Sequence, residues 1–249
     1  MDGVLIIDKP KGLTSHDVVL RAKRVLGAKK VGHLGTLDPM ATGVLPLVIN
    51  RAAKYADLLS GGSKEYVATL KLGEERDTFD GEGRVVKTFA TGGVGAEDVE
   101  RVLKGFCGRI KQIPPMFSAV KKNGVPLYKL ARKGITVPRE PKEIEVYSMD
   151  VLAIGLPCVT FRAVCSKGTY VRTLCHDAGQ TLGCGAYLKE LKRTRSGRFT
   201  LDTAVLPDCP EGLLRERIIP LEALILDAAG GVEPEEGWTG FLLHSFENR

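Results

Sequence analysis

The chain has 249 residues, with 36 Lys and Arg against 30 Asp and Glu, a net charge of +6. Hydrophobic residues make up 43% and charged residues 27%, enough apolar material for a core, which excludes disorder as the dominant state. No apolar run approaches the roughly 18 residues that a membrane-spanning helix needs, and residues 1–12 carry Asp2 and Asp8 without the apolar stretch of a secretory signal.

Val4-Leu5-Ile6-Ile7 predicts a strand that ends in the turn Asp8-Lys9-Pro10-Lys11-Gly12. Ser15 is the expected cap of a helix running to about Leu26. Its apolar positions Val18, Val19, Ala22, Val25 and Leu26 fall on one face, and Gly27 stops it. Residues 31–43 are glycine-rich and aperiodic, which predicts a loop. Residues 44–49 read as a buried strand, 52–59 as a helix, and 66–72, by their alternation, as a strand with Tyr66 near its start. An acidic, turn-like stretch over 74–83 precedes an amphipathic helix at 96–106. Residues 112–142 contain Pro114-Pro115, an Asn123-Gly124 hairpin turn and a short helix near 127–132; they read as an insertion with little core of its own. Strands follow at 143–154 and 158–165, a helix at 169–182, a strand at 187–193 and a turn of helix at 221–226. Elements mix without βαβ alternation and most strands are joined by short connections. The expected class is α+β, with a largely antiparallel sheet.

Charge is segregated along this order. Residues 111–142 hold eight bases and one acid, a net +7, whereas residues 201–249 hold three bases and ten acids, a net −7. The basic block includes Lys121, Lys122, Lys129, Arg132, Lys133, Arg139 and Lys142. A second cluster comprises Lys189, Lys192, Arg193, Arg195 and Arg198. Either cluster alone reads as a solvated face; two of them opposed by an acidic tail point to a polyanion, since random surface charge interleaves its signs. The six cysteines form no C-x-x-C pair, so reduced thiols in a cytoplasm are expected. A phosphate loop, a dinucleotide fingerprint, paired histidines and a nucleophile elbow are all missing. Catalysis must therefore come from the chain's own side chains, with no metal and no cofactor.

The most unusual stretch is Gly32-His33-Leu34-Gly35-Thr36-Leu37-Asp38-Pro39-Met40-Ala41-Thr42-Gly43. Asp38 is either a structural turn residue or a carboxylate held rigidly as nucleophile or base. A catalytic carboxylate needs a partner that keeps it ionised and aimed, and an arginine fork serves best. Arg172, just inside a predicted helix start, is a candidate. Tyr66 is a core aromatic, a stacking platform for a base, or a proton acceptor.

The segment 32–46 closely resembles the catalytic motif of the TruB-type tRNA pseudouridine synthases. The likeness continues in register at D-K-P-K-G-L-T-S (8–15), K-E-Y-V-A-T-L-K-L-G (64–73), D-T-F-D-G-E-G (77–83), Q-I-P-P-M-F-S-A-V-K (112–121), S-K-G-T-Y-V-R-T-L (166–174) and G-C-G-A-Y-L (183–188). It implies the pseudouridine synthase fold, a mostly antiparallel or mixed sheet flanked by helices, and isomerisation of uridine 55 in the tRNA T loop by base flipping. It implies Asp38 as the catalytic aspartate, Tyr66 as the residue meeting the flipped base, and Arg172 as the partner of the acid. His33 then displaces the target nucleotide, Tyr170 and Leu191 line the uridine pocket, and Lys9 and Pro10 brace the catalytic loop. The insertion becomes an RNA-gripping thumb, with Lys121, Lys122, Lys129, Arg132 and Lys133 touching the RNA. The expected organisation is a catalytic domain over 1–220 and a short acidic tail over 221–249, too short for the RNA-binding PUA domain that ends many relatives. The expected partner is the T arm of tRNA, met by a cytoplasmic monomer with no protein partner and no membrane. A uracil N-glycosylase-type RNA enzyme and a non-catalytic tRNA-folding chaperone are the alternatives; a third, a guide-RNA-dependent relative needing partner proteins, is disfavoured by the free-standing bacterial motif pattern.

Overall fold

The structure, a computed structural model, describes residues 1–228. Its elements in chain order are β1 (Gly3–Lys9), α1 (Ser15–Leu26), β2 (Val31–His33), β3 (Thr42–Ile49), a 3-10 turn leading into α2 (Ala56–Leu59), and β4 (Lys64–Leu72). A hairpin of β5 (Glu74–Arg76) and β6 (Val85–Thr88) precedes α3 (Ala96–Lys104) and β7 (Gly108–Gln112). The insertion holds the two-residue strands β8 (Lys121–Lys122) and β9 (Val125–Pro126) and then α4 (Leu127–Ala131). The remainder is β10 (Lys142–Gly155), β11 (Cys158–Cys165), α5 (Val171–Thr181), β12 (Ala186–Ser196), β13 (Phe199–Thr200), α6 (Glu211–Glu216), β14 (Ile219–Pro220) and α7 (Leu221–Ala228).

Ten of these strands form one sheet in the order β14-β1-β3-β12-β4-β11-β10-β7, with β2 on β3 and β13 on β12. All pairs are antiparallel except β3 with β12. The sheet is therefore mixed, and the parallel pair lies in its interior. Alternation along β1 and β3 splits the core between two faces. Leu5, Ile7, Leu45, Leu47 and Ile49 pack with α1, α3 and α5, while Val4, Ile6, Val44 and Val48 pack with Leu59, Phe199, Leu221 and Leu224 on the other side. Chain organisation thus continues past residue 220, because α7 seats Leu221 and Leu224 beside β1. The acidic tail expected from the sequence falls, from residue 229 on, outside the described residues. All six cysteines are unpaired.

Register places one row of residues across four adjacent strands. Lys9 on β1 lies opposite Gly43 on β3, Gly43 opposite Arg193 on β12, and Arg193 opposite Tyr66 on β4. Directly paired residues share a face, so Lys9, Arg193 and Tyr66 all project to the side covered by α1 and α5. The loop between β2 and β3 closes over that row.

Local readings differ from the sequence expectation in a few places. Thr14, not Ser15, caps α1, in a capping box with Asp17. Residues 31–33 form a short strand because their backbone pairs with 47–49. The turn-like acidic stretch contains β5, whose hairpin partner β6 is exposed at all four residues and too short to show an alternating face. In the insertion, Asn123 and Gly124 both adopt positive φ, +51° and +78°, as a two-residue hairpin turn requires.

Gly43 is fixed by both backbone and space. Its φ is +101°, and a Cβ there would lie 2.2 Å from the Arg193 carbonyl oxygen. Gly43→Ala should lower stability by at least ~2 kcal/mol, read as a drop in the urea midpoint; an unchanged midpoint would show that β3 and β12 can separate without loss.

Candidate active site

The loop that carries Asp38 is gripped from below by three side chains. Ser15 Oγ accepts from the Leu37 N–H at 2.8 Å and donates to the Leu37 carbonyl at 3.0 Å. The fully buried Lys9 ammonium donates to the carbonyls of Leu13 at 2.6 Å, Pro10 at 2.9 Å and Pro39 at 3.3 Å. Arg193 is 1% exposed and donates to the carbonyls of Val44 at 2.8 Å, Gly35 at 3.0 Å and Thr36 at 3.5 Å. Residues on both sides of Asp38 are therefore tied to α1, β1 and β12. Burial pushes the Lys9 ammonium down to about 8, against the pull of the Asp38 carboxylate.

Arg172, the second residue of α5, faces Asp38 across an ion pair of 3.3 Å between Nη1 and Oδ2. The same Nη1 lies 3.4 Å from Oδ2 of Asp80, and Nη2 donates to the Phe117 carbonyl at 2.6 Å. Asp80 is buried and also accepts from Thr78 Oγ1 at 2.6 Å and from the Glu82 N–H at 3.1 Å. Its loop is stitched to Leu188 of β12 by two backbone bonds. The loop also stacks Phe79 on His176, one turn beyond Arg172 on α5, with ring centres 3.9 Å apart. Burial raises the pKa of Asp38 above the ordinary carboxylate value; Arg172 opposes this and Asp80 adds to it.

Asp38 sits in an open cavity of about 900 Å³. His33, Tyr66, Tyr170, Arg172 and Leu191 line it as well, so the structure brings all six residues expected at the catalytic centre and the target nucleotide around one space. Tyr66 and Leu191 are buried, and burial lifts the Tyr66 phenol while Arg193 draws it back. His33 is half-buried and its pKa is lowered, by burial first and Arg193 second. Tyr170 is clamped at its backbone by Gln112, whose Oε1 accepts from the Tyr170 N–H at 2.8 Å and whose Nε2 donates to the Tyr170 carbonyl at 3.1 Å.

The insertion forms one wall of the cavity through Phe117, Ser118, Ala119, Tyr128 and Arg132. Lys121, Lys129, Arg132 and Lys133 are exposed, whereas the Lys122 ammonium is tied to the Pro138 carbonyl at 2.7 Å. Arg193 does not belong with the surface cluster in which its sequence neighbours place it. Asp80, Ser15 and Gln112 carry geometry that sequence reasoning did not assign. Asp80 lies inside the D-T-F-D-G-E-G motif, and an acid amid turn residues was the available signal.

Residues 23–171 match the model of the TruB family pseudouridylate synthase N-terminal domain, and residues 172–225 that of the tRNA pseudouridylate synthase B C-terminal domain. The chain belongs to the TruB family. Among its TruB relatives, a tRNA pseudouridine synthase B of Geobacter sulfurreducens is 54% identical over 205 residues, 82% of this chain and 67% of the relative. One from Syntrophus aciditrophicus is 48% identical over 252 residues, 99% of this chain and 80% of that one. Among solved structures, a chain of a Cbf5-Nop10-Gar1 complex superposes with a TM-score of 0.69 at 35% identity, covering 89% of this chain and 60% of the other. This chain thus spans less than two thirds of that solved relative.

Ser15→Ala would leave the N–H and carbonyl of Leu37 without their buried partner. It should cost about 1–3 kcal/mol, measured by urea unfolding. A drop below roughly 0.5 kcal/mol, the size of a neutral surface change, would mean that water replaces the hydroxyl.

Proposed function

We propose that the chain isomerises uridine to pseudouridine at position 55 in the T loop of tRNA, acting alone. The observation that carries this reading is the Asp38 carboxylate, paired with Arg172 at 3.3 Å in an open cavity of a TruB-family fold. Uridine and pseudouridine have the same composition. The C1′–N1 bond breaks, uracil turns, and C1′ joins C5; C5 loses a proton and N1 gains one. Charge placement is the chief demand on the protein.

The target base must leave its stack at a cost of a few kcal/mol. His33 fills the space it vacates. Tyr66 stacks on the extruded uracil, an interaction worth about 1–3 kcal/mol, and is the candidate base for the C5 proton. Tyr170 and Leu191 bound the pocket. Whether Asp38 bonds C1′ or draws a proton from the sugar, it acts as the carboxylate, and Arg172 holds it in that form. The exposed cations Lys121, Lys129, Arg132 and Lys133, with Lys122 beside the hairpin turn, meet phosphates from the thumb.

Asp38→Asn should lower tritium release from 5-tritiated uridine in a tRNA transcript by at least about a thousandfold while tRNA binding persists; substantial turnover would remove Asp38 from its role. A pH profile gives a second reading. The active form is ionised, and its pKa is raised, so single-turnover rate falls as pH drops through a value above the ordinary carboxylate range. Asp80 contributes to that rise, so Asp80→Asn should move the acid limb to lower pH. An unmoved limb would assign it to another group.

Binding through the thumb should follow counterion release. Replacing Lys121, Lys122, Lys129 and Lys133 with Ala should weaken tRNA affinity and reduce the salt slope by roughly 0.7–0.9 for each phosphate that is no longer neutralised. An unchanged slope would place the RNA on another surface.

A further inference from the structure

The cavity is electrically lopsided. At the Asp38 end the guanidinium of Arg172 is matched by two carboxylates. The same wall also carries Lys64, Lys167 and Arg193 with Ser60, and among the described residues no carboxylate pairs with Lys64. Lys64 is 6% exposed. Its ammonium donates to Ser196 Oγ at 2.9 Å and to the Ser60 carbonyl at 3.3 Å, both neutral acceptors. An ammonium has three donors, so one N–H is left over.

Its charged surroundings repel it. Burial and then Arg193, Lys167 and Arg195 all push the Lys64 ammonium down, to about 8; only the Cys165 thiol opposes them. Arg193 is already committed to two loop carbonyls and that of Val44 on β3, and Arg195 Nη1 to Ser63 Oγ and the Gly197 carbonyl. A buried cation among like charges, bound only by neutral groups, is complete when an anion joins it. Position indicates which anion. Lys64 precedes Tyr66 by two residues on β4, so both project to one face about 7 Å apart. Lys167 approaches from the loop before α5.

Building on the proposed function, we propose that Lys64 and Lys167 form a subsite for one RNA phosphodiester, the group flanking the nucleoside that enters the cavity. Its charge neutralises this group of cations and anchors the flipped strand at a fixed distance from Asp38.

Hairpins of the T arm carrying a single methylphosphonate, moved one position at a time through the loop, test this. Their binding is measured by anisotropy to the wild type, Lys64→Gln and Lys167→Gln. At one position the neutral linkage should weaken wild-type binding about tenfold but Lys64→Gln binding less than about twofold, with partial coupling in Lys167→Gln at the same position. Additive effects at every position in both variants would overturn the subsite. Lys64→Gln keeps a donor toward Ser196, and its urea midpoint reports folding; should it not fold, Lys167→Gln, whose side chain is exposed, decides the cycle. The same hairpins are assayed for pseudouridine. Its absence with the wild-type protein would overturn the proposed function alone, because the coupling is read from binding.

Discussion

One guanidinium between two carboxylates sets the chemistry of this fold. The Arg172 side chain is 6% exposed, and a charge so placed is tolerated only when its partners surround it. Asp38 and Asp80 supply those partners, but unequally. Asp80 is 4% exposed in its side chain and takes further bonds from Thr78 and the Glu82 backbone. Asp38 keeps 30% of its side chain open to the cavity and has the 3.3 Å ion pair. Two acids sharing one cation in a low dielectric cannot be equally content, and environment decides which one stays reactive. Asp80 is spent on structure; Asp38 retains proton affinity and access.

The loop beneath Asp38 solves a second problem with the same cations that shape the cavity's field. An aperiodic loop leaves carbonyls that must be satisfied when buried. Lys9 and Arg193 satisfy three of them, at Gly35, Thr36 and Pro39, and tie the loop to the β1–α1 connection through Pro10 and Leu13 and to β3 through Val44. Carboxylates would have held these cations as well, but would have cancelled their charge. Carbonyl acceptors immobilise them and leave the positive field in place. The register row Lys9–Gly43–Arg193–Tyr66 is therefore a mechanical brace and an electrostatic floor at once. The shifts of Asp38 and Tyr66 both carry its imprint.

Much of this was legible in the chain. Apolar patterning located α1, β3, β4, β10, β11 and α5 to within a few residues, because each buries apolar side chains in the core. The seven motifs placed Asp38, Tyr66 and Arg172 in one family before any distance was available. What periodicity misses is the pairing of polar residues across long sequence separations. Arg193 resembles its neighbours Lys192 and Arg195 in composition, yet strand alternation turns it inward beneath a loop some 150 residues away. Ser15 reads as a cap because Ser caps helices well; Thr14 takes that role, and Ser15 is freed to hold Leu37. Strands of two or three residues such as β2, β8 and β9 carry too few side chains for any pattern.

The insertion is bound to the chemistry more closely than its composition suggests. Leu127 is its one deeply buried apolar side chain among residues 121–142, so it has little core to fix its position, the profile of a segment that shifts at low cost. Yet its first residues reach the centre of the site. The Phe117 carbonyl takes the second arm of Arg172, and Gln112 holds the backbone of Tyr170 from both sides. A displacement of this segment cannot leave the Arg172 fork where it is without stripping a buried guanidinium of an acceptor. Grip on a polyanion by the outer lysines and the aim of Asp38 therefore share a mechanical link that runs through one carbonyl oxygen.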